Sequence, residues 1–487
     1  MAMVAGHGMF WVAVTERGGL LVCGYNSNGQ LGLGSRDDAD TPTALGGLGL
    51  VEGDEVAELA GGMQALALLA GDAPEDPPAA LAHPVECKIA MVAAGLQHTM
   101  CVTDTGAVWA WGENSLGALG IADPQTPQHL QRSEVPVRWA PGLCNGVPAR
   151  MVACGANHSL VLTRTGEVWA CGRGHLGQTG SLHLPDIVPT PERVAGLSAV
   201  VLVAAGYGFS GALDKDGRVW MWGACDAGQL GFPPVAPQLP GNAVPTQLGP
   251  AAFGREAVVQ LSLGYYQAAA VTATGGLWVW GANSHGELGL GDTAERAVPT
   301  LVAAGGAPAW GGSRVLMVSC SCNYQLVLTV DGGVWTCGLN DSGLLGHGGF
   351  QGVWVPTRIV PAAFGGATIV FVAAGYAYAS AVTAEGLLYS WGLSSTAAMV
   401  GLQTTPRPVA ASLAPGQRVG RSCGIPRRHV VALCMGLHAR LGAQAATRVL
   451  GTDTAGAVVE RGVRLDGDLA RMGEGLLRQL AVRERRD

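Results

Sequence analysis

Charge is the scarcest thing in this chain. Only 13% of its 487 residues are Asp, Glu, Lys or Arg, about half the roughly 25% of an ordinary soluble domain. Lysine is nearly missing, with Lys88 and Lys215 alone, and the formal net charge is −7. No basic stripe exists to displace counterions from a nucleic acid. Arg427-Arg428-His429 and the end Arg483-Glu484-Arg485-Arg486 are short and mixed with acids, so direct nucleic-acid binding is not expected. The 12 cysteines show no zinc spacing: Cys320 and Cys322 stand one residue apart and the rest are scattered. They are too few for a disulfide scaffold, which suits a reducing compartment, cytoplasm or nucleus. No Ser-His-Asp set, paired carboxylate or nucleophilic Cys stands out, so neither covalent chemistry nor a metal or cofactor is expected. The N-terminus lacks the basic start and apolar run of a signal peptide. Two uncharged stretches, 257–284 and 359–384, exceed the roughly 20 residues that span a bilayer. Sister segments place Asp104, Arg164 and Asp214-Lys215-Asp216 at the same points, so these are water-facing turns rather than spans.

Glycine is what the chain has in excess, 75 residues, and it falls in two recurring marks. A head mark reads Met91-Val-Ala-Ala-Gly95, Met151-Val-Ala-Cys-Gly155, Leu202-Val-Ala-Ala-Gly206 and Phe371-Val-Ala-Ala-Gly375, with variants ending at Gly6, Gly264 and Ser321. A tail mark reads Val108-Trp-Ala-Trp-Gly112, Val168-Trp-Ala-Cys-Gly172, Val219-Trp-Met-Trp-Gly223, Leu277-Trp-Val-Trp-Gly281, Val334-Trp-Thr-Cys-Gly338 and Leu388-Tyr-Ser-Trp-Gly392, with Leu20-Leu-Val-Cys-Gly24 a seventh. Head to tail is 17 positions in six copies, as from Gly95 to Gly112 and from Gly155 to Gly172, and 18 in the first, from Gly6 to Gly24. Tail to next head varies. A fixed spacing marks a rigid unit and a variable one a surface loop. Between the marks run an alternating segment and a turn such as Thr163-Arg-Thr-Gly166, the signature of a hairpin. One such unit cannot bury both faces of its sheet. Units closed in a ring can, so the pattern predicts an all-β propeller. Where Cys23, Cys171 and Cys337 replace the tail Trp, a buried Cys acts as a small hydrophobe.

Seven intact pairs predict seven blades, and counting a worn unit would give eight. One worn head lies at Val56-Ala-Glu-Leu-Ala-Gly61, followed by a Pro-rich stretch at about 70–86 in place of a tail. Another unit runs from Val431-Ala-Leu-Cys-Met-Gly436 to Gly462. The expected division is a propeller over 1–462 and a short C-terminal helical tail over 463–487, where Leu469, Met472, Leu476 and Leu480 share one helical face.

These segments resemble the regulator-of-chromosome-condensation (RCC1) repeat family. The resemblance is carried by the two marks, by His98-Thr99 and His158-Ser159, and by loops such as Asn26-Ser-Asn-Gly-Gln-Leu-Gly32, Asp226-Ala-Gly-Gln-Leu-Gly231 and Asn283-Ser-His-Gly-Glu-Leu-Gly289. WD repeats fit poorly, since no Trp-Asp occurs and the period of 51 (Gly155 to Gly206) to 60 (Gly95 to Gly155) exceeds their roughly 40–45 residues. The resemblance implies a protein-binding propeller that acts as a monomer. Founding members look like exchange factors for a Ran-like small GTPase. The rival is a non-catalytic scaffold in a ciliary, trafficking or ubiquitin-ligase assembly. The family's ultraviolet-B photoreceptors resemble Gly-Trp-Arg-His-Thr after the head. That Trp is missing from Gly95-Leu-Gln-His-Thr99, Gly155-Ala-Asn-His-Ser159 and Gly206-Tyr-Gly-Phe-Ser210, which argues against photoreception.

His98 and His158 recur at one phase without a second ligand at metal spacing, which points to hydrogen bonds between blades. The candidate contact residues are those that differ between copies in the loops after the tail glycines: Arg173, His175, Asp226, His285, Asn340 and Asp341.

Overall fold

A computed structural model describes residues 3–5, 10–14, 19–45, 51–52, 85–86, 88–121, 131–139, 142–233, 241–302, 309–394 and 401–409. Its strands form seven four-stranded antiparallel sheets and one two-stranded ribbon. The sheets span 3–44, 89–138, 149–193, 200–247, 258–301, 315–358 and 369–408, and are numbered here as blades 1 to 7 in that order. The ribbon pairs Val51–Glu52 with Val85–Glu86 between blades 1 and 2. The worn heads at 56–61 and 431–436, most of the Pro-rich stretch and the 463–487 tail lie outside the described residues.

Blade 3 shows the plan. Its strands are Ala149–Cys154, His158–Thr163, Val168–Arg173 and Ile187–Arg193. The second strand is buried at every position because neighbouring blades cover both its faces. The fourth is largely solvent-facing and forms the outer edge. First strands of adjacent blades lie side by side all the way round, and that of blade 7 returns to that of blade 1. The two uncharged stretches belong to blades 5 and 7. No helix of the described residues is long and apolar enough to cross a membrane.

Head and tail glycines are required for different reasons. The first-to-second-strand turns are stitched into a rim, Leu96 N–H to Ala156 O, Ala156 N–H to Tyr207 O, Tyr207 N–H to Gly264 O and Tyr265 N–H to Ser321 O. Backbones touch there: a Cβ on Gly155 would lie 2.5 Å from the Gly206 carbonyl oxygen and against the His158 ring. The tail glycine Gly172 has φ +109°, and a Cβ there would stand 2.5 Å from His158 Cα. Only glycine takes that backbone conformation without strain.

Blade joints follow a repeated chemistry. In blades 1 to 6 the loop between third and fourth strands offers a backbone carbonyl to the next blade, which grips it with the residue at the tail Trp position, with a Ser or Thr, or with both. Trp111 Nε1 and Thr99 Oγ1 both donate to Gln30 O. Trp222 and Ser210 donate to Gln178 O. Trp280 donates to Gln229 O and Trp391 to Leu344 O. In two of the three blades where Cys replaces Trp, the thiol takes the same acceptor at longer range, Cys171 Sγ to Ala118 O at 3.5 Å and Cys337 Sγ to Glu287 O at 3.7 Å, whereas Cys23 Sγ donates to Ala39 O of its own blade at 3.2 Å. The tail Cys is thus a weak donor as well as a small hydrophobe.

The histidines bridge blades, as their phase predicted. His158 Nε2 lies 2.9 Å from Ser210 Oγ, and His98 Nε2 lies 2.9 Å from Ser159 Oγ. Each serine spends its proton on a loop carbonyl, so each imidazole donates from Nε2. At the same phase Tyr324 Oη donates to Gly375 O and Tyr378 O. Tyr378 Oη donates to Phe10 O across the closing joint, where Trp11, Leu21 and Cys23 share an apolar cluster with blades 6 and 7.

Two outcomes follow. Gly155→Ala should destabilise the ring by about 1–3 kcal/mol, because the rim backbone cannot separate without breaking the stitching; urea unfolding measures this. Trp222→Phe removes one of two donors to the buried Gln178 carbonyl and some packing, and should cost about 1–3 kcal/mol by the same measurement.

Candidate functional site

Antiparallel strands put the rim turns and the long loops at one end of the ring, the loop face. The second-to-third-strand turns and the inter-blade connections sit at the other. Conserved geometry inside the loops comes from one asparagine. Asn26 accepts from Leu31 N–H and donates to Ser35 O and Asp37 O. Asn283 accepts from Leu288 N–H and donates to Asp292 O and Ala294 O.

All six sequence-chosen residues fall on the loop face, on the consecutive blades 3 to 6. Arg173, Asp226 and Asp341 are exposed, and His175 and His285 are half-buried. Asn340 is 1% exposed. It is the counterpart of Asn26 and Asn283, accepting from Leu345 N–H and donating to Gly349 O and Gln351 O, so its amide is consumed within the loop. His285 Nδ1 meets Ser284 Oγ at 3.0 Å, and its backbone N–H donates to Glu287 Oε2. Asp226 Oδ1 accepts from Gln229 Nε2 at 2.7 Å. Burial first, and then the Arg173 guanidinium, hold the His175 imidazole below its usual pKa, with Asp186 opposing.

The loop face is acidic. Asp37, Asp38, Asp186, Asp226, Asp292, Glu295 and Asp341 stand in its loops against Arg36, Arg173 and Arg296. Two of these bases are already paired, Arg296 with Asp292 at 2.6 Å and Arg36 with Glu134 at 3.5 Å. On the opposite end acids and bases alternate, as in Arg218 with Asp216 at 3.0 Å and Arg358 with Asp331 at 3.0 Å.

Tyrosines occupy the centre of the loop face, in the rim turns. Tyr207 of blade 4, Tyr265 and Tyr266 of blade 5 and Tyr376 of blade 7 form one cluster. Sequence reasoning missed them because it looked for Trp at this phase. The signal was a Tyr directly after the head glycine in Gly206-Tyr207, Gly264-Tyr265 and Gly375-Tyr376. Cys322 sits at the matching turn of blade 6, its thiol pushed up to about 11 by burial and by Glu287. Among the described residues no group of three or more His, Cys, Asp or Glu is arranged to hold a metal ion.

A seven-bladed ring of head-and-tail repeats with an acidic, tyrosine-centred loop face defines a β-propeller of the repeat-built kind. Comparison with known proteins makes the assignment specific: an RCC1-like domain matches residues 70–326, and RCC1 repeats match 17–69 and 331–382. The chain belongs to the RCC1 repeat family. It is 28% identical to the ultraviolet-B receptor UVR8 of Arabidopsis thaliana, over 68% of this chain and 75% of that protein. It is 27% identical to the secretion-regulating guanine nucleotide exchange factor of Bos taurus, over 73% of this chain and 70% of that one. The human E3 ubiquitin-protein ligase HERC2 is 29% identical over 69% of this chain, a match that spans 7% of HERC2. Among solved structures, Prp20p of Saccharomyces cerevisiae superposes with TM-score 0.61 at 24% identity, covering 81% of this chain and 86% of that one; this likeness concerns the fold.

The lowered His175 and His347 pKa values set a direction for stability against pH. Burial lowers the His347 pKa, and its Nε2 is 2.9 Å from Thr336 Oγ1. Both imidazoles are neutral above the unfolded value near 6.5, where they add no pH dependence. Below it the unfolded chain binds more protons, so stability falls as pH drops through the folded values. Thermal midpoints at pH 7.5 and 5.5 should show this loss, and His347→Gln should reduce it.

Proposed function

We propose that this propeller binds another protein through its loop face, and that the partner is a Ran-like small GTPase whose nucleotide release it accelerates. The observation that carries the reading is the excess of carboxylates over bases on that face, concentrated in loops that vary between blades. The alignment with an exchange factor along most of both chains supports it. An exchange factor forms no covalent bond. It binds the nucleotide-free partner more tightly than the loaded one and so shifts the population toward release. Carboxylates presented at a GTPase's phosphate and magnesium site suit that work, since they compete with phosphate for its basic groups and with the nucleotide for its cation. The exposed Arg173, Asp226 and Asp341, with His175 and His285, are the proposed contacts. Asn340 shapes its loop.

The test is release of a fluorescent guanine nucleotide from a panel of small GTPases, with the full chain at micromolar concentration. Acceleration on a Ran-type member is expected, and Asp226→Lys with Asp341→Lys should cut it by about tenfold. No acceleration on any member would remove the exchange reading and favour a non-catalytic scaffold, which the likeness to part of HERC2 supports.

A further inference from the structure

The tyrosine cluster has a geometry of its own. Tyr265, 8% exposed, lies between Tyr207 and Tyr376, with ring centroids 4.8 Å and 5.6 Å away. Tyr266 approaches Tyr207 at 5.8 Å. The two outer rings stay wet, Tyr266 at 38% and Tyr376 at 42% exposure. Three blades thus converge on a packed ring whose flanks open to solvent, among the rim turns of the described residues. Grouped exposed aromatics mark interaction sites more often than scattered ones, and their faces carry the negative side of the ring quadrupole.

The charges beside the cluster have the same sign. Burial and the neighbouring Tyr207 ring raise the Tyr266 pKa, and the Asp226 carboxylate adds to this. Burial raises the Cys322 thiol, and Glu287 adds to that. Tyr266 and Tyr376 keep exposed ring surface that a cation can reach. Negative ring faces beside carboxylates form a cation-selective surface, and they repel nucleic acid and acidic protein alike.

We propose that this hub seats an Arg or Lys side chain from an extended basic segment of a partner protein, with Tyr266 and Tyr376 contacting the cation and Asp226 beside it. The proposal rests on the loop face being the working face and not on the partner's being a GTPase.

The probe is a fluorescent alternating Arg-Gly peptide, with Lys-Gly, Gln-Gly and Glu-Gly counterparts, titrated with the full chain by anisotropy at low and physiological salt. Arg-Gly should bind saturably, Lys-Gly more weakly, and the neutral and acidic peptides not at all. Tyr266→Ala with Tyr376→Ala should weaken Arg-Gly binding by about tenfold or more, while Phe at both positions keeps it within about threefold. Asp226→Asn should weaken it several-fold and flatten its salt dependence. The proposal is overturned by no saturable binding up to about 1 mM Arg-Gly, by equal binding of Gln-Gly, or by a folded Ala variant that binds like the wild type. It falls too if sedimentation shows these tyrosines holding two copies of the chain together while the peptide is ignored. Should the Ala pair not fold, unchanged affinity and salt dependence in Asp226→Asn refute it instead. Peptide binding without GTPase exchange leaves the hub standing and removes only the exchange reading. Exchange that survives in the Ala pair, with no peptide binding in the wild type, does the reverse.

Discussion

The ring depends on one exchange between neighbours: a loop of each of blades 1 to 6 surrenders a backbone carbonyl, and the next blade takes it with an indole, a hydroxyl or a thiol. Single four-stranded units that are apolar on both faces cannot bury those faces alone. Stacked face to face they exclude water from their second strands, which are buried at every position in blades 2 to 7. Apolar stacking has no fixed register, however. The carbonyl exchange supplies one, because a buried carbonyl left unpaired costs about 1–3 kcal/mol. Gln178 O, held by Trp222 and Ser210, therefore sets the distance and angle between blades 3 and 4 as well as binding them.

That exchange also explains how the two ends of the ring came to differ. The loops that give up the Gln30, Glu287 and Leu344 carbonyls are braced from within by Asn26, Asn283 and Asn340 and from without by the next blade. Their backbones are fixed while their remaining side chains are free to vary. The short turns at the other end are closed by a Thr hydroxyl, as when Thr163 Oγ1 accepts from Glu167 N–H, or by Asp214 in blade 4. Their charges pair locally. Variable side chains on a rigid backbone are what a binding surface requires, and the acids accumulate on the end that offers it.

Most of the architecture was legible in the sequence because it repeats. Glycines at constant separation announced a rigid unit, and seven intact pairs matched seven blades. The histidine bridges were legible for the same reason, since His98 and His158 share a phase. The tyrosine hub was not, because Tyr207, Tyr265 and Tyr376 become neighbours only when the ring closes. Nothing local to a Gly-Tyr step says that another ring will lie 4.8 Å away. Asn340 shows the opposite hazard. It was chosen as variable, yet it stands in register with Asn26, Asn114 and Asn283, and its burial follows from that register. Divergence between copies marks a contact only where the backbone does not already claim the side chain.

The thiols at the tail position carry a mechanical meaning. A sulfur at 3.5–3.7 Å grips a carbonyl far less firmly than an indole at 2.9–3.0 Å. The seams before blades 3 and 6 compensate with other groups: Ser159 Oγ donates to Ala118 O at 2.7 Å, and the Gln260 amide clasps Val318, donating to its carbonyl and accepting from its N–H. Fastenings of different chemistry thus back one another up, so a joint can lose its indole without parting.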